Sequence, residues 1–234
     1  MKHLHIKGKN GLPFSSKKHL LLPIAVLFTS LVLAQPPAVA PVLGKAASFA
    51  VFGGNAGITN QGLNTVTHGS IGTVAAATLI TGFHDGVTAA VYSETTSNTG
   101  NAFGGIYSNV PAPGTATTFL FATQTLADAT TAFNNISPAI QPGGVDPGAG
   151  ELGGLTLTPG VYKSVTFKIS NLDLTLDAQG DPNAVWIFQT TAALTVGIPS
   201  GPRSVIMTNG GLARNVYWYV GSGATINGAG GGIM

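Results

Sequence analysis

The sequence predicts an all-β domain of short strands that keep turning corners, a β-solenoid or a related all-β arrangement, with one long helix. The stretch 155–189, LTLTPGVYKSVTFKISNLDLTLDAQGDPNAVWIFQ, sets strands of about five residues against turn signals. Leu172, Leu174 and Leu176 alternate there with Asp173 and Thr175, the period-2 pattern of a half-buried strand. Pro159-Gly160 and Gly180-Asp181-Pro182 break the chain on either side. One segment departs from that rhythm: Phe119, Ala122, Leu126, Ala129 and Phe133 recur at steps of three and four, the stripe of an amphipathic helix.

The N-terminus reads as a leader. Lys2, Lys7, Lys9, Lys17 and Lys18 precede the apolar run 20–33, and small residues follow, with cleavage expected at Ala34 or Ala40. The run is short for a spanning helix and Pro23 interrupts it. We therefore read 1–40 as a signal peptide and 41–234 as a single exported domain, touching a membrane only through the leader before cleavage.

Removing the leader reverses the formal charge. Five of the ten cations leave and all eight acids stay, so the remainder carries about −3 and offers no basic groove for nucleic acid. Charged side chains are few for a water-facing surface, and Thr, Ala, Gly, Ser and Asn must cover much of it. There is no cysteine, so an exported domain of this length depends on its core and its backbone ladders.

Along the domain, 43–60 (LGKAASFAVFGGNAGITN) reads as two short strands around Phe49–Val51 and Ile58, and VTHGSIGT at 66–73 continues the rhythm. From 81 to 114 the pattern dissolves into Gly, Asn, Ser, Thr and Pro, which we read as a cap over a solenoid end. The helix follows, with Thr115 or Thr117 as its cap and Pro138 past its end. QPGGVDPGAGELGG connects to strands expected at Thr156, Val161, Val165, Leu172, Val185, Leu194, Val205, Val216 and Thr225. No equal-length repeat is visible, so a solenoid here is irregular.

LGKAASFAVFGGNAGITN, TLTPGVYK, LTLDAQGDPNAVWIFQ and NVYWYVGSGATI, in this order, resemble the signature segments of the DUF3494-type ice-binding protein family. The resemblance runs from about Leu43 to the end. It implies an irregular, discontinuous β-helix of triangular section, a helix packed alongside, an inserted cap, and a secreted ice-binding or recrystallisation-inhibiting role. Family members continue past the ATI segment, so the resemblance also implies that a closing coil is absent after Met234.

Ice presents a lattice of oxygens with no charge and no pocket. A surface that matches it must be flat and rigid, with spacings set by the backbone. Stacked coils supply rungs about 4.7–4.9 Å apart. Threonine fits because its β-branch fixes χ1 while offering a methyl and a hydroxyl. Four runs carry that chemistry: Ala56, Gly57 and Thr59 around Ile58; Thr190, Thr191, Ala192 and Thr195; Thr208; and Ser222, Gly223, Thr225 and Asn227. The first two also fall where relatives place ice-face residues. Threonine is equally a good strand former anywhere, so each has a purely structural alternative.

Other chemistry is thinly represented. His68 and His84 lack a second ligand at metal spacing, so no metal or other cofactor is expected. Asp173, Asp177 and Asp181 suggest a β-helical lyase, but DAQGDPN reads better as an Asx turn. Ser204 has no nucleophile-elbow context, and no catalytic role is assigned. Trp186 and Trp218 read as core or wall residues, with a sugar platform at Tyr217-Trp218-Tyr219 as the alternative. The sequence thus favours a non-enzymatic, monomeric ice binder over an exported adhesion or carbohydrate-binding module on the same scaffold.

Overall fold

The computed structural model describes residues 36–199 and 201–227. Most of the expected leader (1–35) and the segment 228–234 lie outside them.

The first half of the domain is a short three-sided coil. Strands β1 (Phe49–Phe52), β2 (Ile58–Thr59) and β3 (Thr65–Thr67) make one turn, and β4 (Ser70–Ala76) and β5 (Ile80–Thr81) begin the next. β4 lies parallel to β1, and β5 lies parallel to β2. Register explains the packing: Ile58 sits over Ile80, and Ile71 joins them in one cluster, because equivalent positions of successive turns point inward together.

The region expected to dissolve is instead ordered as short strands. β6 (Phe83–Asp85), β7 (Val91–Tyr92) and β8 (Gly100–Ala102) add to β3 in the order β3-β8-β6-β7, before β9 (Ile106–Asn109) returns alongside β4. Periodicity is weak here because side chains satisfy the backbone in place of long ladders. The buried Asp85 carboxylate accepts the amides of Val87 at 2.7 Å, Thr88 at 2.8 Å and Ile106 at 2.8 Å. Asn60, also buried, donates to the carbonyls of Gly62, Gly82 and Thr99 and accepts from Gly62 and Thr65. Such hubs leave no hydrophobic pattern to read.

Helix α1 (Ala116–Asn135) starts at Thr115, whose hydroxyl accepts the Thr118 amide at 3.1 Å while Thr118 Oγ1 takes the Thr115 amide at 2.8 Å, a reciprocal cap. Its buried seam differs from the expected aromatic stripe. Ala122, Thr125 and Ala132 are buried, whereas Phe119 and Leu126 are half-buried and Phe133 is exposed at 40%. Small residues let the helix approach β9 and β4 closely, and the aromatics seal its margins: Phe121 stacks on Tyr107 with centroids 4.5 Å apart. Substituting Ala122→Leu is therefore expected to destabilise the domain by about 1–3 kcal/mol through overpacking. Urea denaturation of the variant checks this, with Leu120→Ala on the exposed side as a near-neutral control.

The second half winds three coils, each contributing one strand to each of three parallel sheets. The first is β10 (Thr156–Leu157), β11 (Gly160–Ser164) and β12 (Phe167–Ile169). The second is β13 (Leu174–Asp177), β14 (Trp186–Thr190) and β15 (Leu194–Val196), and the third is β16 (Val205–Thr208), β17 (Val216–Val220) and β18 (Ala224–Ile226). The sheets are β10-β13-β16, β11-β14-β17 and β12-β15-β18, the triangular section that the resemblance implies. Among the described residues, no strand of the first half pairs with one of the second, so the solenoid is discontinuous.

Every inward position stacks on its equivalent in the next coil. Tyr162, Phe188 and Trp218 are in register, with ring centroids 5.3 and 4.2 Å apart, and Phe167 meets Phe188 edge-on at 5.8 Å. Trp186 is fully buried and donates Nε1–H to the Leu157 carbonyl at 3.2 Å. On the third coil Val205, Met207, Val216, Trp218 and Val220 are only half-buried. Leu172 departs from expectation: it is 64% exposed, precedes β13, and lies over the Gly153-Gly154 turn, so the buried alternation starts at Leu174.

Candidate functional site

The three sheets of the second half present unlike outer surfaces. β11-β14-β17 is covered: Val161 and Ile187 are buried against Ile136, with Ala38, Tyr217 and Tyr219 packed around them, and Tyr219 stacks on Phe133 at 4.3 Å. β10-β13-β16 faces outward but is charged. Its row Thr156, Thr175, Ile206 is flanked by Asp177 beside Thr208, and by Asp173, which accepts the Ser204 amide at 2.8 Å.

β12-β15-β18 loses its charge along its length. The outward row begins with Glu151, paired through the backbone with Lys168, then continues through Thr195 and Thr225 in register. The Leu194 amide donates to the Gly223 carbonyl, which sets Ala193 beside Gly223 as a second, small row. Two rungs therefore show only Ala, Gly and Thr between backbone carbonyls. Neither threonine hydroxyl has a hydrogen-bond partner within the protein among the described residues.

The first half repeats this motif. Thr59 and Thr81 are paired in register on β2 and β5, with Ile58 and Ile80 beneath them, and their hydroxyls are likewise unshared. Gly57 is exposed beside them, where a Cβ would lie 2.5 Å from the Leu79 carbonyl oxygen. Sequence reasoning missed Thr81. The signal existed, since Ile80-Thr81 repeats the dipeptide Ile58-Thr59, but the Gly-rich surroundings hid the strand.

The structure brings together only part of the expected face. Thr195, Thr225, Gly223 and Ser222 share one sheet and the corner leading into it, and Thr191 and Ala192 form the corresponding corner one coil earlier. Ala56, Gly57 and Thr59 belong to the separate β2-β5 sheet. Three of the expected residues lie elsewhere. Thr190 is buried at 1% exposure on β14 and donates to the Val165 carbonyl, because it occupies an inward position of the covered sheet. Thr208 lies on β16 next to Asp177 and gives its hydroxyl to the Leu176 carbonyl at 3.3 Å, so it is on a different face. Asn227 is half-buried and spends its amide on the Gly197 carbonyl at 3.2 Å, bracing the end of β18.

Carboxylates outside the neutral rungs are tied down by local donors. Burial would raise the Glu151 carboxyl, but the Ser170 hydroxyl and the amides of Ser170 and Gly153 outweigh it and hold it below the ordinary range. Asp146 is lowered in the same way, burial being overcome by the Ser164 hydroxyl and the Gly150 and Gly148 amides. A carboxyl lowered in the folded state adds stability above its unfolded pKa, and that stability disappears as pH falls through the folded value. Glu151→Gln is accordingly expected to lower the melting temperature at pH 7 and to flatten its decline toward pH 3. Thermal melts across that range check it; parallel wild-type and variant curves would contradict it.

A family model described as Ice-binding-like matches residues 52–233, most of the chain. The chain belongs to this ice-binding family. It is 35% identical over 196 residues to Ice-binding protein 1 of Shewanella frigidimarina, covering 81% of this chain and 21% of that protein. An ice-binding protein of Nostoc sp. is 33% identical over 212 residues, covering 90% of this chain and 66% of that one. The chain thus spans about a fifth of the first relative and just under two thirds of the second. The solved DUF3494 domain of the Shewanella protein superposes with TM-score 0.66 at 31% identity, covering 82% of this chain and 80% of that one. An ice-binding protein from an Arctic yeast, solved to explain antifreeze activity, gives TM-score 0.60 at 31% identity, covering 79% and 74%.

The remaining leads are accounted for by structure. In this member of the ice-binding family, His84 pairs with Glu94 at 2.8 Å and His68 stacks on Phe103; the described residues contain no metal-holding cluster. Asp181 accepts the Asn183 amide and Asp177 the Gln179 amide, both turn contacts. Tyr217-Trp218-Tyr219 forms no sugar platform: Trp218 points inward onto Phe188, and Tyr219 is stacked on Phe133.

Proposed function

We propose that the protein is a secreted, non-enzymatic ice binder acting as a monomer through its uncharged threonine rungs. The observation that carries this is the in-register pair Thr195 and Thr225, with hydroxyls unshared among the described residues and an Ala193–Gly223 row beside it, on a sheet that is free of charge over two coils. Thr59 and Thr81 supply a second pair of the same geometry.

The rungs hold hydroxyls and methyls at a backbone-set spacing of about 4.8 Å, so water above them is organised by fixed groups. Charged side chains would keep their own hydration shells, and the face ends where Lys168 and Glu151 begin. Affinity then comes from many small simultaneous contacts.

Names of the relatives support the same reading, since each is called an ice-binding protein. Secretion is supported by the leader pattern of the sequence, and none of the described helices is long and apolar enough to cross a membrane. The test is an ice-recrystallisation assay on the exported protein, with circular dichroism confirming its β-rich fold. Inhibition is expected; a folded protein that leaves ice grains coarsening at the buffer rate would refute the proposal.

A further inference from the structure

The β12-β15-β18 sheet has a strand from each of three coils, but only two of those strands offer uncharged rungs. Register fixes the outward positions. One row runs Lys168, Thr195, Thr225. The row beside it, two residues earlier on each strand, runs Thr166, Ala193, Gly223, with Phe167 and Leu194 buried between the two rows. The ladder is continuous across all three coils: the Phe167 amide donates to the Ala193 carbonyl, and the Leu194 amide to the Gly223 carbonyl, each at 3.1 Å.

The first coil therefore already carries half of a third rung. Thr166 is exposed, and its hydroxyl has no partner among the described residues. Lys168 holds the other half, the position that threonine takes in both following coils.

The Lys168 side chain has no task in the fold. Only its backbone is engaged: its amide donates to the Gly150 carbonyl and its carbonyl accepts the Leu152 amide, each at 2.7 Å. The side chain is exposed, and among the described residues its ammonium makes no ion pair and no hydrogen bond. Glu151, beside it in the row, does not neutralise it. One Glu151 oxygen accepts the amides of Gly153 at 2.8 Å and Ser170 at 2.9 Å, and the other accepts the Ser170 hydroxyl.

A lysine ammonium is a strongly hydrated point charge on a flexible four-carbon stem. Rungs only about 4.8 Å apart put it within reach of the Thr195 rung. Water ordered over the threonines has to compete with the water bound to the cation, and stripping that cation is costly.

We infer that Lys168 sets the length of the ice-contacting face, holding it to two rungs where the backbone supplies three. Lys168 is thus a specificity-determining residue that limits contact, and Thr166 is a face residue that the cation masks. The inference rests on the ice-binding reading above.

The test is a gain of activity. The protein and its Lys168→Thr variant are compared by ice-recrystallisation assay, with circular dichroism melts confirming that both fold. The variant is expected to inhibit at a concentration lower by about threefold or more. Lys168→Ala, which removes the cation without adding a hydroxyl, gives a second route to a gain if the threonine variant misfolds. Adding Thr166→Tyr to the Lys168→Thr chain should abolish the gain. Lys163→Thr removes the same charge from β11 and should match the parent. Folded Lys168 variants no better than an active parent overturn the inference and leave the ice-binding reading standing. An equal gain from Lys163→Thr assigns the effect to net charge and overturns it too. A folded parent without activity overturns both readings together.

Discussion

Replacing Thr195 and Thr225 together by tyrosine is expected to remove ice-recrystallisation inhibition while leaving the fold intact. Both side chains point outward on β15 and β18, in register, and neither hydroxyl has a partner among the described residues. Tyrosine is a good strand residue, so the ladders should tolerate it. On a flat face, however, each ring would stand several ångströms proud and lift the neighbouring rung off the lattice. A rise of at least about tenfold in the concentration needed corresponds to roughly 1.4 kcal/mol of lost contact. The control is Thr156→Tyr on the charged β10-β13-β16 sheet, which should leave activity unchanged. Equal loss in both variants would mean that the working face had been assigned to the wrong sheet.

The second large effect concerns the core. Phe188 is fully buried between Tyr162 and Trp218 in the aromatic column and meets Phe167 edge-on. Phe188→Ala should cost about 3–5 kcal/mol, from lost burial plus a cavity that rigid neighbouring coils cannot close. Set against the roughly 5–15 kcal/mol that holds a typical domain folded, the variant should be marginal at best. Chemical denaturation measures it directly. A loss under about 1 kcal/mol would show that the column is not a shared support and that the coils repack independently.

The two effects separate because the residues lie on opposite sides of one sheet system. Thr195 and Thr59 each have a large apolar neighbour, at the next position along the strand, that faces in: Leu194 and Val196 beside Thr195, Ile58 beside Thr59. Burial of the inward partners holds the outward ones still. A rigid threonine face is thus a product of core packing, and a damaged core should blur the face as well.

Much of this was legible in the sequence, and the exceptions share a cause. Strand alternation located β13, and the three-four stripe located the helix, with its cap narrowed to Thr115 or Thr117, because those signals depend on chain neighbours. The helix seam was misplaced because the partner surface on β4 and β9 is close, so Ala122, Thr125 and Ala132 take the contact that larger residues would obstruct. Strands 81–109 escaped notice because Asn60 and Asp85 organise them from a distance.

For the face, the sequence determined the ingredients: few charged side chains, threonines in small-residue runs, and a strand period that turns alternate residues outward. Tertiary structure alone decided which threonines stand together. Thr190 and Thr195 are five residues apart and both lie in strands, yet one is buried under the Val165 carbonyl and the other is half-buried on the outer side beside Thr225. A strand's alternation gives each residue a side but does not say whether that side meets helix, carboxylates or solvent. That is set by how coils of unequal length stack, and coil length is governed by turns and side-chain hubs that follow no period.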